Sequence, residues 1–234
     1  MRKADIIQKL KSLANVGNAE GMERFGMARN GRLGISMPAL RLLAREIGKN
    51  HDLALDLWSS PYKEAKILAG LIEEAGQTTQ KQADEWVKDF DSWDVCDQVC
   101  FVFDRTPFAS QKAKQWAKRR EELIKRAGFS MMAGLAVHSK TLKDKDFVSF
   151  FPLIKSASAD ERNFVKKAVN WALRQIGKRN LALNALAIKT ALEIKEKGEK
   201  LNSKSAKWIA NDALRELRGE AVRKMLKSKQ TKAK

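Results

Sequence analysis

Apolar residues recur along most of this chain at three- and four-residue steps, so helix is the dominant expectation. The clearest stretch runs from Asp160, a good N-cap, to Gly177, a good C-terminal stop. At about 100° per residue, Val165, Val169, Ala172 and Ile176 share one face. Lys167, Trp171, Arg174 and Lys178 fall roughly opposite. A tryptophan among three cations, away from the core, suits a nucleic-acid surface: cations for phosphates, an indole for a base or a cationic ligand. The alternative is a second packing surface in which lysine stems cover the indole.

The same pattern predicts helices elsewhere. The first spans about residues 3–14. A linker over 15–32 holds Gly17, Gly21, Gly26 and Gly31, with a short helix around 23–29. Ser36, ahead of Met37 and Pro38, starts a helix that turns Leu40, Leu43, Ala44 and Ile47 inward and stops at Gly48. Ser60-Pro61 starts one that runs to 76, and Thr79 caps one that runs to about 90. Asp91 or Ser92 caps a helix over 93–103. Others are expected over 110–119, 121–138, 144–155, 160–177 and 181–197, and Ser203 caps a last one to about 227. With four prolines, one tyrosine and no long alternating β-branched run, sheet is not expected.

Several helices carry a short polar or cationic start followed by alanine and apolar residues. These are Glu64-Ala-Lys-Ile-Leu-Ala, Lys125-Arg-Ala-Gly-Phe, Lys166-Lys-Ala-Val-Asn and Asn211-Asp-Ala-Leu-Arg. With the Trp93 helix included, they recur at roughly 30 to 45 residues, in the range of HEAT-type helix pairs. The expected fold is all-α: an α-solenoid of HEAT-like repeats, with a concave face built from the second helix of each pair. An irregular helical bundle is the alternative. One domain is expected over 1–222, followed by a basic, disordered tail over 223–234.

Composition narrows the partner. Against 28 Asp and Glu stand 46 Lys and Arg, a formal charge of +18. That surplus favours a polyanion, nucleic acid first and an anionic membrane surface second. The basic start has no apolar signal core, and no apolar run approaches the roughly 18 residues of a membrane span. Cys96 and Cys100 are one helical turn apart, a spacing that strains a disulfide, so free thiols in a cytoplasmic protein are expected. His51 and His138 lack metal-motif spacing to them, so no metal site is expected. Trp58, Trp86, Trp116 and Trp208 read as packing residues.

Two further helices repeat the opposite-face pattern. Val95, Val99, Val102 and Phe103 group on one side of their helix, with Trp93, Asp97 and Cys100 across from them. Ile124, Ala127, Met131 and Leu135 form a core face, with Arg126 opposite. An indole attracts cations, a carboxylate stabilises developing positive charge, and an arginine holds phosphate. That set suits N-glycosidic hydrolysis through an oxocarbenium-like sugar. An N3- or N7-alkylated purine already carries positive charge, so one carboxylate suffices where ordinary glycosidases use two.

Trp93-Asp-Val-Cys-Asp97, Lys125-Arg126-Ala, the run from Val165 to Arg174, and Leu33-Gly-Ile-Ser-Met-Pro-Ala-Leu-Arg41 resemble the signatures of AlkD-type DNA alkylation repair glycosylases, loosely from residue 23 to 218. The resemblance implies a concave basic cleft holding duplex DNA. It implies release of N3- and N7-alkylpurines, without metal or organic cofactor, by a monomer in a bacterial-type, nucleoid-associated cytoplasm. By position, Asp97 is the catalytic carboxylate, Trp93 and Trp171 contact the lesion's deoxyribose, and Arg126 holds the nearby phosphate. Lys167, Arg174 and Lys178 are backbone contacts. Ser36 and Phe25 stand where well-studied members carry a glutamine and a tyrosine near the lesion, which leaves lesion preference open. A non-catalytic DNA- or structured-nucleic-acid-binding HEAT-like protein is the alternative reading, and a protein scaffold a third.

Overall fold

A computed structural model describes residues 2–232. Every regular element among them is helical. Packing divides the chain into two compact units, one ending at Thr106 and the other beginning at Pro107, where the sequence reading expects one domain over 1–222. Pro107 lacks the backbone donor that would continue the preceding helix.

The first unit holds α1 (Lys3–Ser12), α2 (Val16–Glu23), α3 (Met37–Ile47), α4 (His51–Trp58), α5 (Lys63–Ile72), α6 (Gln80–Trp86), a 3-10 turn (Val87–Asp89) and α7 (Trp93–Phe103). Ser36 and Thr79 cap α3 and α6 as expected. The short linker helix comes earlier than 23–29, because the Asn15 side chain accepts from the Asn18 amide at 2.9 Å and caps α2. Helix α4 is an addition. Asn50 caps it, and Leu53, Ala54, Leu57 and Trp58 bury one stripe. The core centres on Trp58 and Trp86, stacked at 4.1 Å between ring centroids, with Phe90 and Phe103 against their edges. Such pairs add about 0.5–1.5 kcal/mol beyond burial. At Gly70, α5 lies so close to α7 that an added Cβ would sit 3.0 Å from the Val99 side chain. Its small size is therefore what lets α7 seat its valine face.

The second unit holds α8 (Ala109–Trp116), α9 (Glu122–His138), α10 (Asp144–Val148), α11 (Phe151–Ala157), α12 (Asn163–Gly177), α13 (Leu181–Lys200), α14 (Lys204–Leu217) and α15 (Glu220–Lys232). Helix α12 packs on α9, α11, α13 and α14, and Val165, Val169, Ala172 and Ile176 are fully buried, as the periodicity predicts. Three boundaries differ. The helix expected over 144–155 is split, with Pro152 in the first turn of α11. The last helix breaks at Gly219 into α14 and α15. Helix α15 also occupies much of the expected tail, burying Val222 and Leu226 one turn apart. Residues 233 and 234 of that tail lie outside the described residues. No helix among the described residues is long and apolar enough to cross a membrane.

Candidate functional site

Trp93 and Asp97 lie one turn apart on α7. Trp93 is half-buried, and its indole Nε1 donates to the Phe25 carbonyl at 3.0 Å. Phe25 itself is 72% exposed. Asp97 is 9% exposed and Cys100 is buried, so the side of α7 read as outward is covered. A helix buried nearly all round hides its polar face from a single-helix reading. Neither cysteine is in a disulfide, and burial pushes the Cys100 thiol up.

The segment carrying Phe25 is fastened to the rest of the first unit. The Arg32 guanidinium, almost fully buried, reaches both Asp94 carboxylate oxygens at 2.5 and 2.9 Å and the Ser92 hydroxyl at 3.1 Å. Such a bidentate pair fixes orientation as well as distance. The fully buried Glu64 carboxylate accepts the Leu33 and Gly34 amides at 2.9 and 2.8 Å. Gly34 has φ +76, and a Cβ there would sit 2.1 Å from the Asn15 carbonyl, so only glycine fits. The Lys63 amide donates to the Gly31 carbonyl at 2.9 Å, and its buried ammonium pairs with Asp91. Burial, then the Lys66 and Arg32 charges, lowers the Lys63 pKa.

The sequence reading missed Arg32, Glu64 and Lys63. A signal existed for Glu64, which falls in register with the buried stripe of Leu68 and Ile72 on α5. A carboxylate on a core face needs donors, and Leu33 and Gly34 supply them.

In the second unit Arg126 is 5% exposed rather than outward, and its guanidinium donates to the Phe164 carbonyl at 2.7 Å. That bond joins α9 to α12. Beside it, Lys125 of α9 pairs with Asp160 at 2.8 Å, and Arg162 donates to the same carboxylate at 2.9 Å. Asp160 therefore does not cap α12; Arg162 holds the N-cap position. The Arg162 guanidinium, helped by Lys125, holds the Asp160 carboxyl well below the usual range.

Trp171 is half-buried and Lys167 exposed, as their register predicts. Arg174 and Lys178, expected as backbone contacts, are partly buried and pair with acids. Lys178 donates to Glu216 at 2.6 Å, Arg174 pairs with the same carboxylate, and the Arg174 Nε lies 3.6 Å from Asp212. Both acids belong to α14, which a reading of α12 alone does not include. Partial burial works against ionisation of Glu216, yet the Lys178 and Arg174 charges hold its pKa below normal. The structure thus keeps Trp93 with Asp97 in the first unit, and Arg126, Lys167, Trp171, Arg174 and Lys178 in the second.

Comparison with known proteins gives this arrangement a context. The family model described as DNA alkylation repair enzyme matches residues 6–217. No curated protein matches the chain. A solved structure is similar over 82% of this chain and 83% of its own, with TM-score 0.75 and 20% identity. That structure represents proteins related to the HEAT-like repeat DNA glycosylases, with affinity for branched DNA structures. The fold is therefore HEAT-like, and since the family match spans nearly the whole length, this chain belongs to the DNA alkylation repair enzyme family.

Proposed function

We propose that this protein is a monofunctional glycosylase that removes N3- and N7-alkylated purines from double-stranded DNA without a cofactor. The observation that carries this reading is Asp97, a carboxylate only 9% exposed, one helical turn from an indole held by the Phe25 carbonyl. Electrostatic stabilisation strengthens as water is excluded, so a buried carboxylate suits a sugar that becomes cationic. The C1′–N bond breaks with its electron pair going to the purine, which is already positively charged and leaves as a neutral base. Asp97 stabilises the deoxyribosyl cation. A water oxygen then bonds to C1′, and its proton passes to Asp97 or solvent. The indole face of Trp93, on the same helix as Asp97, contacts the cationic sugar; in the second unit Trp171, Lys167 and Arg126 serve as DNA contacts.

A second reading has support in the affinity for branched DNA of the similar solved structure. In that reading the chain binds DNA and cuts nothing. Incubation with duplex DNA containing N7-methylguanine, scored for abasic sites, separates the two. Release above the spontaneous rate supports the glycosylase; intact binding with no release leaves the binder.

A further inference from the structure

Trp58, Trp86 and Trp116 are buried as packing residues, but Trp208 is 41% exposed. It sits on α14 in a stripe made by Lys204, Trp208, Asn211, Arg215 and Arg218, all exposed. Steps of three and four residues keep these five on one side of the helix, over about 20 Å. The stripe contains no acid. The carboxylates of α14 flank the stripe on its α12 side: Asp212 accepts from the Asn170 amide at 2.7 Å, and Glu216 takes Lys178 and Arg174. Arg215 also reaches back to Asp212 while remaining exposed. From α12, the Lys166 ammonium lies 5.3 Å from the centroid of the Trp208 ring.

This stripe repeats that of α12 in register. Lys167, Trp171, Arg174 and Lys178 precede Lys204, Trp208, Asn211 and Arg215 by one repeat length each, roughly 37 residues. The lysine, the tryptophan one turn on and the cation two turns further recur; the middle arginine becomes asparagine.

We propose that the outer stripe of α14 is a second nucleic-acid contact, in which Trp208 stacks on an unpaired DNA base and Lys166, Lys204 and Arg215 hold phosphates of the same strand. The five residues of the stripe include three cations and no acid, and with Asp212 paired to Arg215 and Glu161 bordering Lys204 the surface still carries net positive charge, which matches a polyanion. The indole specifies more than that. Inside a duplex both faces of every base are already stacked, so an exposed ring gains a partner only at an end, a gap or a branch. A helix built for duplex phosphates alone needs cations and no exposed tryptophan. The Lys166 ammonium beside the ring can pair with the phosphate that flanks a stacked base. This proposal rests on the family's reading as DNA-binding, not on excision by Asp97.

The test uses the full chain and two labelled DNAs: a blunt duplex, and the same duplex with a single-stranded arm. Wild-type protein is expected to bind the armed DNA more tightly by fluorescence anisotropy. Trp208→Ala should remove roughly tenfold from that affinity, with blunt-duplex affinity and N7-methylguanine release from the blunt duplex within about twofold of wild type. Trp208→Phe, which keeps an aromatic face, should retain most of the preference and guards against a folding artefact in the alanine variant. The double variant Lys204→Ala, Arg215→Ala should weaken armed-DNA binding and flatten its salt dependence. Equal binding of the two DNAs by wild type, or an unchanged ratio in Trp208→Ala, overturns the proposal. So does Trp208-dependent binding to anionic phospholipid vesicles without a preference for the armed DNA. Absence of excision by the wild type sinks the glycosylase reading and leaves this ratio to be judged on its own.

Discussion

Helices α12 and α14 carry the same outward register and use it differently. On α12 the two distal cations, Arg174 and Lys178, are tied to Glu216. On α14 the corresponding positions remain exposed, and Trp208 is more open than the half-buried Trp171. Periodicity states which side of a helix a cation occupies. It does not state whether a neighbouring helix presents an acid to that side. The acids at Asp212 and Glu216 tie the end of α12 to α14. Half-buried ion pairs of this kind fix orientation more reliably than they add stability.

The starts of the two helices sharpen the contrast most. Asp160 locks the start of α12 through Arg162 and Lys125, while Glu161 accepts from the Ser203 hydroxyl and the Ser205 amide at the start of α14. Asp160→Ala is expected to lower unfolding stability by about 2 kcal/mol near neutral pH, as loss of charge-assisted bonds does. Because the native pKa is depressed, this stabilisation is fully present above the unfolded value of about 3.9. It is lost as pH falls through the lower native pKa. Urea denaturation at pH 7 and at pH 2 measures both; a penalty that persists unchanged in acid would contradict the pairing. The Glu161→Ala change should shift the thermal midpoint less.

Trp171→Ala comes next in size. Loss of a cation–π contact of about 1–2 kcal/mol should slow N7-methylguanine release roughly fivefold to thirtyfold. Trp208→Ala should alter the same rate by less than about twofold. Equal losses would dissolve the distinction between the two tryptophans. Glu216→Gln should then destabilise the fold by about 1 kcal/mol and, by releasing Arg174 and Lys178, strengthen low-salt duplex binding. Weaker binding would mean that the pairs present those cations to DNA rather than withhold them. The smallest effect belongs to Arg215→Ala. Its stability should stay within about 0.5 kcal/mol, while the salt slope for armed DNA falls by about one.

The sequence carried a large share of this structure because amphipathic helices declare themselves. Ser36, Thr79, Ser203 and the core face of α12 stand where periodicity and capping chemistry put them. The misses have a common cause, which is that pairing across elements leaves no local trace. Arg32 and Asp94 are 62 positions apart, and Glu64 and Gly34 are 30 apart. Helix α4 was unmarked because its apolar residues occupy a single short stretch. Asp94 and Asp97, three residues apart, are indistinguishable by composition; the structure pairs Asp94 with Arg32 and the Ser92 hydroxyl.

Asp97 is where the account is most directly exposed. Wild type and Asp97→Asn should be compared on one duplex carrying N7-methylguanine, with release rate and affinity measured together. Release is expected to fall at least roughly a hundredfold, the scale of a lost electrostatic contact to transition-state charge, with Kd within about twofold. Release that stays near wild type, or falls only in proportion to binding, would contradict the role given to this carboxylate.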